Sequence, residues 1–341
     1  MHIVSFDDWF KREANNENIC FLCGNQLDDK NKSDEHIFPK WILKEFNLWN
    51  VPLTLLNKSR FNYRSAIVPC CKKCNNTSLS DIEKEIKSGI DGGFDYFVDR
   101  VSRESIYKWC QLIFYKILYK ENFLKENIKL KESKKIISEE QFANLKLNHL
   151  FLRSIDKDVE FVDFLPGSIF ICKVKTSDLD KSLNFDYMDA VPEQCLAIRI
   201  NDIGIIAILA DAGLQELVKT EDYSKYTSHI LAPIQFKNLF ANCVYQQMLF
   251  RDPFKYKIEF KSSDKLSIER VPKDNFEGNV YEQGNSTDHS QLLASIFNCD
   301  PNQFYMGEGL TGSFFFDDNG AWKDRAFEDD GTIKNSVEYR I

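Results

Sequence analysis

The sequence predicts an α+β protein that begins with a zinc-stapled module, continues as a helical segment and ends in a mixed α+β region. Three observations carry that expectation. Two Cys-x-x-Cys pairs, Cys20/Cys23 and Cys71/Cys74, stand in one short stretch. Each pair puts two sulfurs on a tight turn, and four thiolates together suit one tetrahedral Zn²⁺. Next, Ile106, Trp109, Cys110, Ile113, Phe114 and Ile117 recur at helical spacing, as on a buried helix face. From about residue 158 the texture changes to alternating, β-branched and aromatic runs, the mark of strands. The expected boundaries are 1–93 for the zinc module, 94–155 for the helical segment and 156–341 for the remainder.

Taken in order, residues 1–17 read as a short amphipathic helix leading into the Cys20–Gly24 knuckle, where Gly24 permits the turn after the second ligand. Lys40 to Phe46 has helical periodicity behind Pro39, which suits a first helical turn. Residues 51–69 look extended and are expected to supply hairpin arms. After Cys74 a helix is expected, with Ser80 and Glu83 at capping-box spacing and a break at Asp91-Gly92-Gly93. The lysine-rich run from Lys120 to Lys135 is interleaved with Glu121, Glu126 and Glu132, so it reads as a solvated face. Ser138 to Gln141 has the spacing of another helix start. Strands follow at 159–165, 169–174, 195–200 and 205–209, the last two as a hairpin about Asn201-Asp202. Helices are expected near 212–218 and from Pro233 to 249. The tail from 271 is polar, with short apolar islands at Leu292–Phe297 and Phe314–Phe316.

Between the cysteine pairs lies Asp34-Glu35-His36-Ile37-Phe38-Pro39, and Asn75 directly follows Cys74. This pattern resembles the HNH (ββα-metal) nuclease family in its four-cysteine, zinc-stapled treble-clef form. The resemblance spans roughly residues 18–90, about a fifth of the chain. It implies hydrolysis of nucleic-acid phosphodiester bonds, with DNA the expected substrate and restriction or anti-phage defence the expected setting. Glu35 and Asn75 are then expected to hold a catalytic Mg²⁺ or Mn²⁺, and His36 to act as general base. Asn76 competes with Asn75 for that role. The family's middle Asn precedes its second cysteine pair; Ala66 stands at that place here, with Asn62 the nearest upstream.

Four thiolates close the coordination sphere, so the expected zinc is structural, and Cys70 is the alternative to Cys71 as ligand. A histidine packed in a small core is the alternative for His36. His149, His229 and His289 lack metal-like spacing and read as structural. The net charge of −8 excludes a protein that binds nucleic acid through its bulk charge. Between Asn57 and Ser80, however, five basic residues (Lys58, Arg60, Arg64, Lys72 and Lys73) occur with no acidic one. Of these, Arg60, Arg64, Lys72 and Lys73 are the candidate phosphate contacts; a solvated knuckle tip is the other reading for the two lysines. The six remaining cysteines of ten are expected as reduced thiols, five of them scattered singly in mostly apolar contexts. With no secretory leader and no apolar run of membrane length, the expectation is a cytoplasmic protein without a membrane partner. A homo-oligomer or a regulatory protein partner is expected for the long remainder. The competing function is a non-catalytic zinc treble clef that binds nucleic acid or a protein.

Overall fold

The computed structural model describes residues 18–54, 59–122, 146–317 and 319–327. The expected helix over residues 1–17 and the helix start at Ser138 lie outside them, as does most of the lysine-rich run. The fold is α+β. The chain divides into two compact units, one of residues 1–92, 99–166 and 256–271, the other of 93–98, 167–255 and 272–341. These are not the three consecutive segments expected with cuts at 93 and 155. The reason is a parallel pairing: β11 (Lys265–Pro272) joins β5 (Asp158–Val162), with Leu266 opposite Val159. A parallel partner arrives by a long connection, so stretches far apart in sequence complete one unit.

In the first unit, β1 (Lys32–His36) pairs antiparallel with β4 (Ile67–Cys71), Lys32 opposite Cys71 and His36 opposite Ile67. The ladder continues one step further, the Ile37 N–H donating to Ala66 O at 2.8 Å. Only the end of the stretch 51–69 therefore forms an arm beside the acid–His pair. β2 (Pro52–Thr54) and β3 (Arg60–Asn62) pair with each other as a separate ribbon within the connection. Strand propensity reports extended backbone, not its partner. Helix α1 (Lys40–Glu45) starts behind Pro39 and buries Ile42 and Leu43.

The helix after the second cysteine pair begins earlier than its capping signal suggests. Ser80, at φ −62° and ψ −36°, is already helical. The cap is Cys71, whose sulfur accepts the Cys74 N–H at 3.4 Å. A turn at Lys72–Cys74 and a wider one at Asn75–Leu79 lead into α2 (Ser80–Asp91), which ends at Gly92. Then come α3 (Gly93–Arg100) and α4 (Arg103–Asn122). From Trp109 to Tyr119 α4 is buried on every side, a wider burial than the six-residue stripe predicted. Helix α5 (Lys146–Leu152) packs Leu150 and Phe151 against Val159, Leu266 and Ile268.

The second unit is built on an antiparallel sheet, β6 (Ser168–Lys173), β9 (Ile203–Ile208), β8 (Cys195–Ile200) and β7 (Phe185–Ala190) in spatial order. The β8–β9 hairpin turns at Asn201, which takes a positive φ of 54°. Both strands are buried on both faces, and they read as continuous apolar runs for that reason. Helix α6 (Leu214–Thr227) follows; α7 (Pro233–Met248) lays Phe236, Leu239, Phe240, Cys243 and Val244 on one sheet face. The Leu292–Phe297 island is the end of helix α8 (Ser286–Phe297), capped by Asn285. Strands β7, β10 (Phe254–Phe260) and β11 had no counterpart in the sequence reading. Among the described residues no helix is long and apolar enough to cross a membrane, and none of the ten cysteines is in a disulfide.

Gly204 lies where α7 meets the sheet. A Cβ there would come within 2.7 Å of the Phe236 ring and 2.8 Å of Val174. Gly204→Ala is therefore expected to destabilise the protein by about 1–3 kcal/mol, read as a lower midpoint in chemical denaturation.

Candidate functional site

The sulfurs of Cys20, Cys23, Cys71 and Cys74 all lie within 4.8 Å of one another. Two sequence-local devices put them there. The first pair sits on a tight hairpin, in which Cys20 N donates to Asn25 O at 2.9 Å and Gly24 takes φ +72°. The second pair spans the end of β4 and the first helical turn. The Phe21 N–H bonds Pro69 O at 2.9 Å, docking the knuckle beside β4. Behind the knuckle, buried His149 bonds the carbonyls of Phe21 and Leu22, which makes it structural, as expected. A tetrahedral Zn²⁺ with sulfurs at ~2.3 Å separates them by about 3.8 Å, and the Cys23–Cys71 separation is 3.8 Å.

Charge makes the same point. Contacts from Cys23, Cys70 and Cys74 pull the Cys20 thiol far down, while contact with Cys20 pushes that of Cys23 up to about 12 and pushes that of Cys74 up as well. Thiols this close ionise together only around a cation. The four cysteines thus form a site that can hold a metal ion, compatible with structural zinc. Cys70 is outside the set; it is fully buried, 3.9 Å from the Cys20 sulfur, and bonds its neighbour's carbonyl at 3.5 Å.

Alternation along β1 sends Ser33 and Glu35 to one face and Asp34 and His36 to the other. Glu35 is buried, and its Oε1 accepts from Lys116 Nζ of α4 at 2.5 Å. Lys116 is fully buried too. Its ammonium also donates to His36 O at 2.8 Å and Ile37 O at 3.4 Å, with the Glu83 carboxylate of α2 at 3.9 Å. Asn75 is half-buried and donates its amide to Ser33 Oγ at 2.8 Å, which brings it to the Glu35 face of the strand. Asn76 is exposed.

His36 lies beyond, half-buried, its ring 5.7 Å from that of Trp49 and nearly parallel to it. Its Nδ1 is buried without a hydrogen-bond partner. Burial first, and then the charge of Lys40, hold its pKa below the ordinary imidazole value, so it is neutral at pH 7. Arg60, Arg64, Lys72 and Lys73 are all exposed. Arg64 is tied to Asn50 at 2.6 Å, and Lys72 to the Lys30 carbonyl at 2.8 Å.

The structure thus brings Glu35 and Asn75 to one face of β1 and leaves His36 on the other. As a donor set for Mg²⁺ or Mn²⁺ this fits poorly, because a hard dication needs carboxylate oxygen free of an ammonium. Four residues near the pair are not among the site candidates that the sequence offers: Lys40, Trp49, Glu83 and Lys116. A signal existed for Lys116 alone, a lysine amid the apolar spacing of α4. Trp49 and Lys40 are near in sequence but carry no pattern.

Burial is the main reason that the Glu83 carboxyl is pushed up to about 7 from 4.5; the Glu35 charge adds to it and Lys116 opposes it. The folded chain then keeps a proton that the unfolded chain has lost between those values. Stability should fall as pH rises through that window, by up to about 3 kcal/mol, and Glu83→Gln should flatten the fall. Urea midpoints at about pH 5 and about pH 8 check it. A second expectation is about one zinc per chain by metal analysis, with Cys23→Ser lowering zinc content and stability together. Comparisons with protein-family models, with curated proteins and with solved structures return no match to this chain.

Proposed function

We propose that the N-terminal module is a zinc-stapled treble clef of the HNH kind, hydrolysing phosphodiester bonds in nucleic acid, with DNA the expected substrate. The observation that carries this reading is His36: a neutral imidazole at the end of β1, beside exposed Lys40 and Trp49, on a hairpin held against a helix by four cysteines. In the reaction, His36 takes a proton from water as the water oxygen bonds to phosphorus. The ester P–O bond breaks, and the departing oxygen takes a proton from solvent. Lys40 and the exposed Arg60, Arg64, Lys72 and Lys73 meet the phosphate charge, and Trp49 offers a ring on which a base can stack. The Mg²⁺ or Mn²⁺ that the resemblance implies would have to take Glu35 from Lys116. The remainder of the chain is assigned restraint, dimerisation or targeting of this module, in a setting of restriction or anti-phage defence.

A second reading, a zinc module that grips nucleic acid or a protein without cutting, is favoured by the commitment of Glu35 to Lys116. Incubation of the full chain with plasmid and single-stranded DNA, comparing wild type with His36→Ala, decides between them. Nicking by wild type that His36→Ala lowers by about 10²-fold or more supports the nuclease. Equal nicking by both, or DNA binding with none, supports the binding module. The nuclease should also lose activity in acid with a midpoint below the ordinary imidazole pKa of about 6.5, since protonated His36 cannot accept the proton.

A further inference from the structure

We infer that the Lys116 ammonium is the resident cation of the β1 site, occupying the place at Glu35 that a divalent cation would need, so that no divalent cation binds there. The inference rests on reading this module as phosphodiester-handling, since only that reading calls for a cation at Glu35. Its grounds are geometric. Lys116 Nζ is surrounded by oxygen: Glu35 Oε1 at 2.5 Å, His36 O at 2.8 Å, Ile37 O at 3.4 Å and Glu83 Oε1 at 3.9 Å. Two carboxyl groups and two carbonyls around one positive centre are the oxygen donors that a hard dication collects, but here the centre is covalently part of α4.

The arrangement has a structural logic. Lys116 has no exposed surface, and a buried ammonium persists only when charge and donors are both matched. Glu35 supplies the charge, and the two carbonyls at the end of β1 take the remaining donors. Lys116 is thereby a positioning residue as well. It clamps the main chain of His36 and Ile37, just where the strand releases its last side chain, and so sets the direction of the imidazole. It cannot touch substrate itself. A cation delivered by the fold is always present, whereas a diffusible one must be captured. Whatever His36 does is then independent of added Mg²⁺ or Mn²⁺.

The test is a Mn²⁺ titration of the full-length, zinc-loaded protein, following loss of the free-ion electron paramagnetic resonance signal. Wild type should bind no Mn²⁺ at this site, its isotherm unchanged by Glu35→Gln. Lys116→Met leaves Glu35 and Glu83 facing each other without a counter-charge. It should gain about one Mn²⁺ per chain, lost again in the Lys116→Met/Glu35→Gln double variant. A wild-type protein that binds one Mn²⁺ per chain and loses it on Glu35→Gln overturns the inference, as does a Lys116→Met protein that keeps its zinc and gains no Mn²⁺. Should Lys116→Met lose its zinc, and with it the fold, wild type against Glu35→Gln still decides. Lys116→Arg, which restores the charge, should recover the zinc content. None of these readings uses catalysis. A chain that never nicks DNA removes the nuclease reading and leaves the inference standing, whereas nicking that requires Mn²⁺ bound at Glu35 does the reverse.

Discussion

Four cysteine sulfurs within 4.8 Å of one another tie together stretches of chain 48 residues apart, and the whole N-terminal site hangs from that tie. Sulfurs so close repel once ionised, so the cluster is a constraint with a built-in demand for a cation. The tie also sets the register of what lies between. With Cys71 opposite Lys32, the ladder runs unbroken to His36 opposite Ile67. The Cys71 sulfur then caps the next helix by accepting the Cys74 N–H, so one residue ends a strand, binds in the cluster and starts a helix. In this register Asn75, just past the end of β4, donates to Ser33 Oγ of β1 at 2.8 Å.

Behind the hairpin the structure solves a second electrostatic problem. Glu35 faces inward, and a lone buried carboxylate is costly. Its partner comes from α4, a helix whose buried residues are mostly aromatic and aliphatic. Because Lys116 has donors left after bonding Glu35, it also holds the carbonyls of His36 and Ile37. The result separates adjacent residues by role. Glu35 is drawn into the interior, while His36 is left at the edge beside Trp49, neutral because burial and Lys40 disfavour its charge.

The second unit applies the same rule with different chemistry. Asp211 is fully buried without an ion pair at its carboxylate among the described residues; instead it accepts from Ser168 N and Oγ, Gly213 N and Gln215 N. Burial lifts its carboxyl to about 6 while those four bonds pull it back. They join the start of β6 to the first turn of α6, and so fix the helix on the sheet without a charged partner. Cys172, Cys195 and Cys243 lie in the apolar layer between sheet and α7, their thiols pushed up by burial. They serve there as small hydrophobes.

By itself, the sequence determined the features that depend on neighbours along the chain. The Cys-x-x-Cys turns, the helix behind Pro39, the break at Gly92, the Asn201 hairpin and the β-rich texture after residue 158 are all set by local sterics and short spacing. It also singled out Cys20, Cys23, Cys71 and Cys74, because tetrahedral coordination leaves its mark as paired spacing. Whatever required a distant partner was decided by tertiary structure. The same extended backbone served for β2, β3 and β4, and only folding paired β4 with β1. The capping-box letters at Ser80 were overridden by a helix already nucleated at Cys71. Parallel β5 and β11, 107 residues apart at Lys265 and Asp158, closed a unit that no boundary in composition announces. Above all, Lys116 lies 81 residues from Glu35. A buried ammonium and a buried carboxylate need each other, but nothing along the chain says which lysine will answer which glutamate.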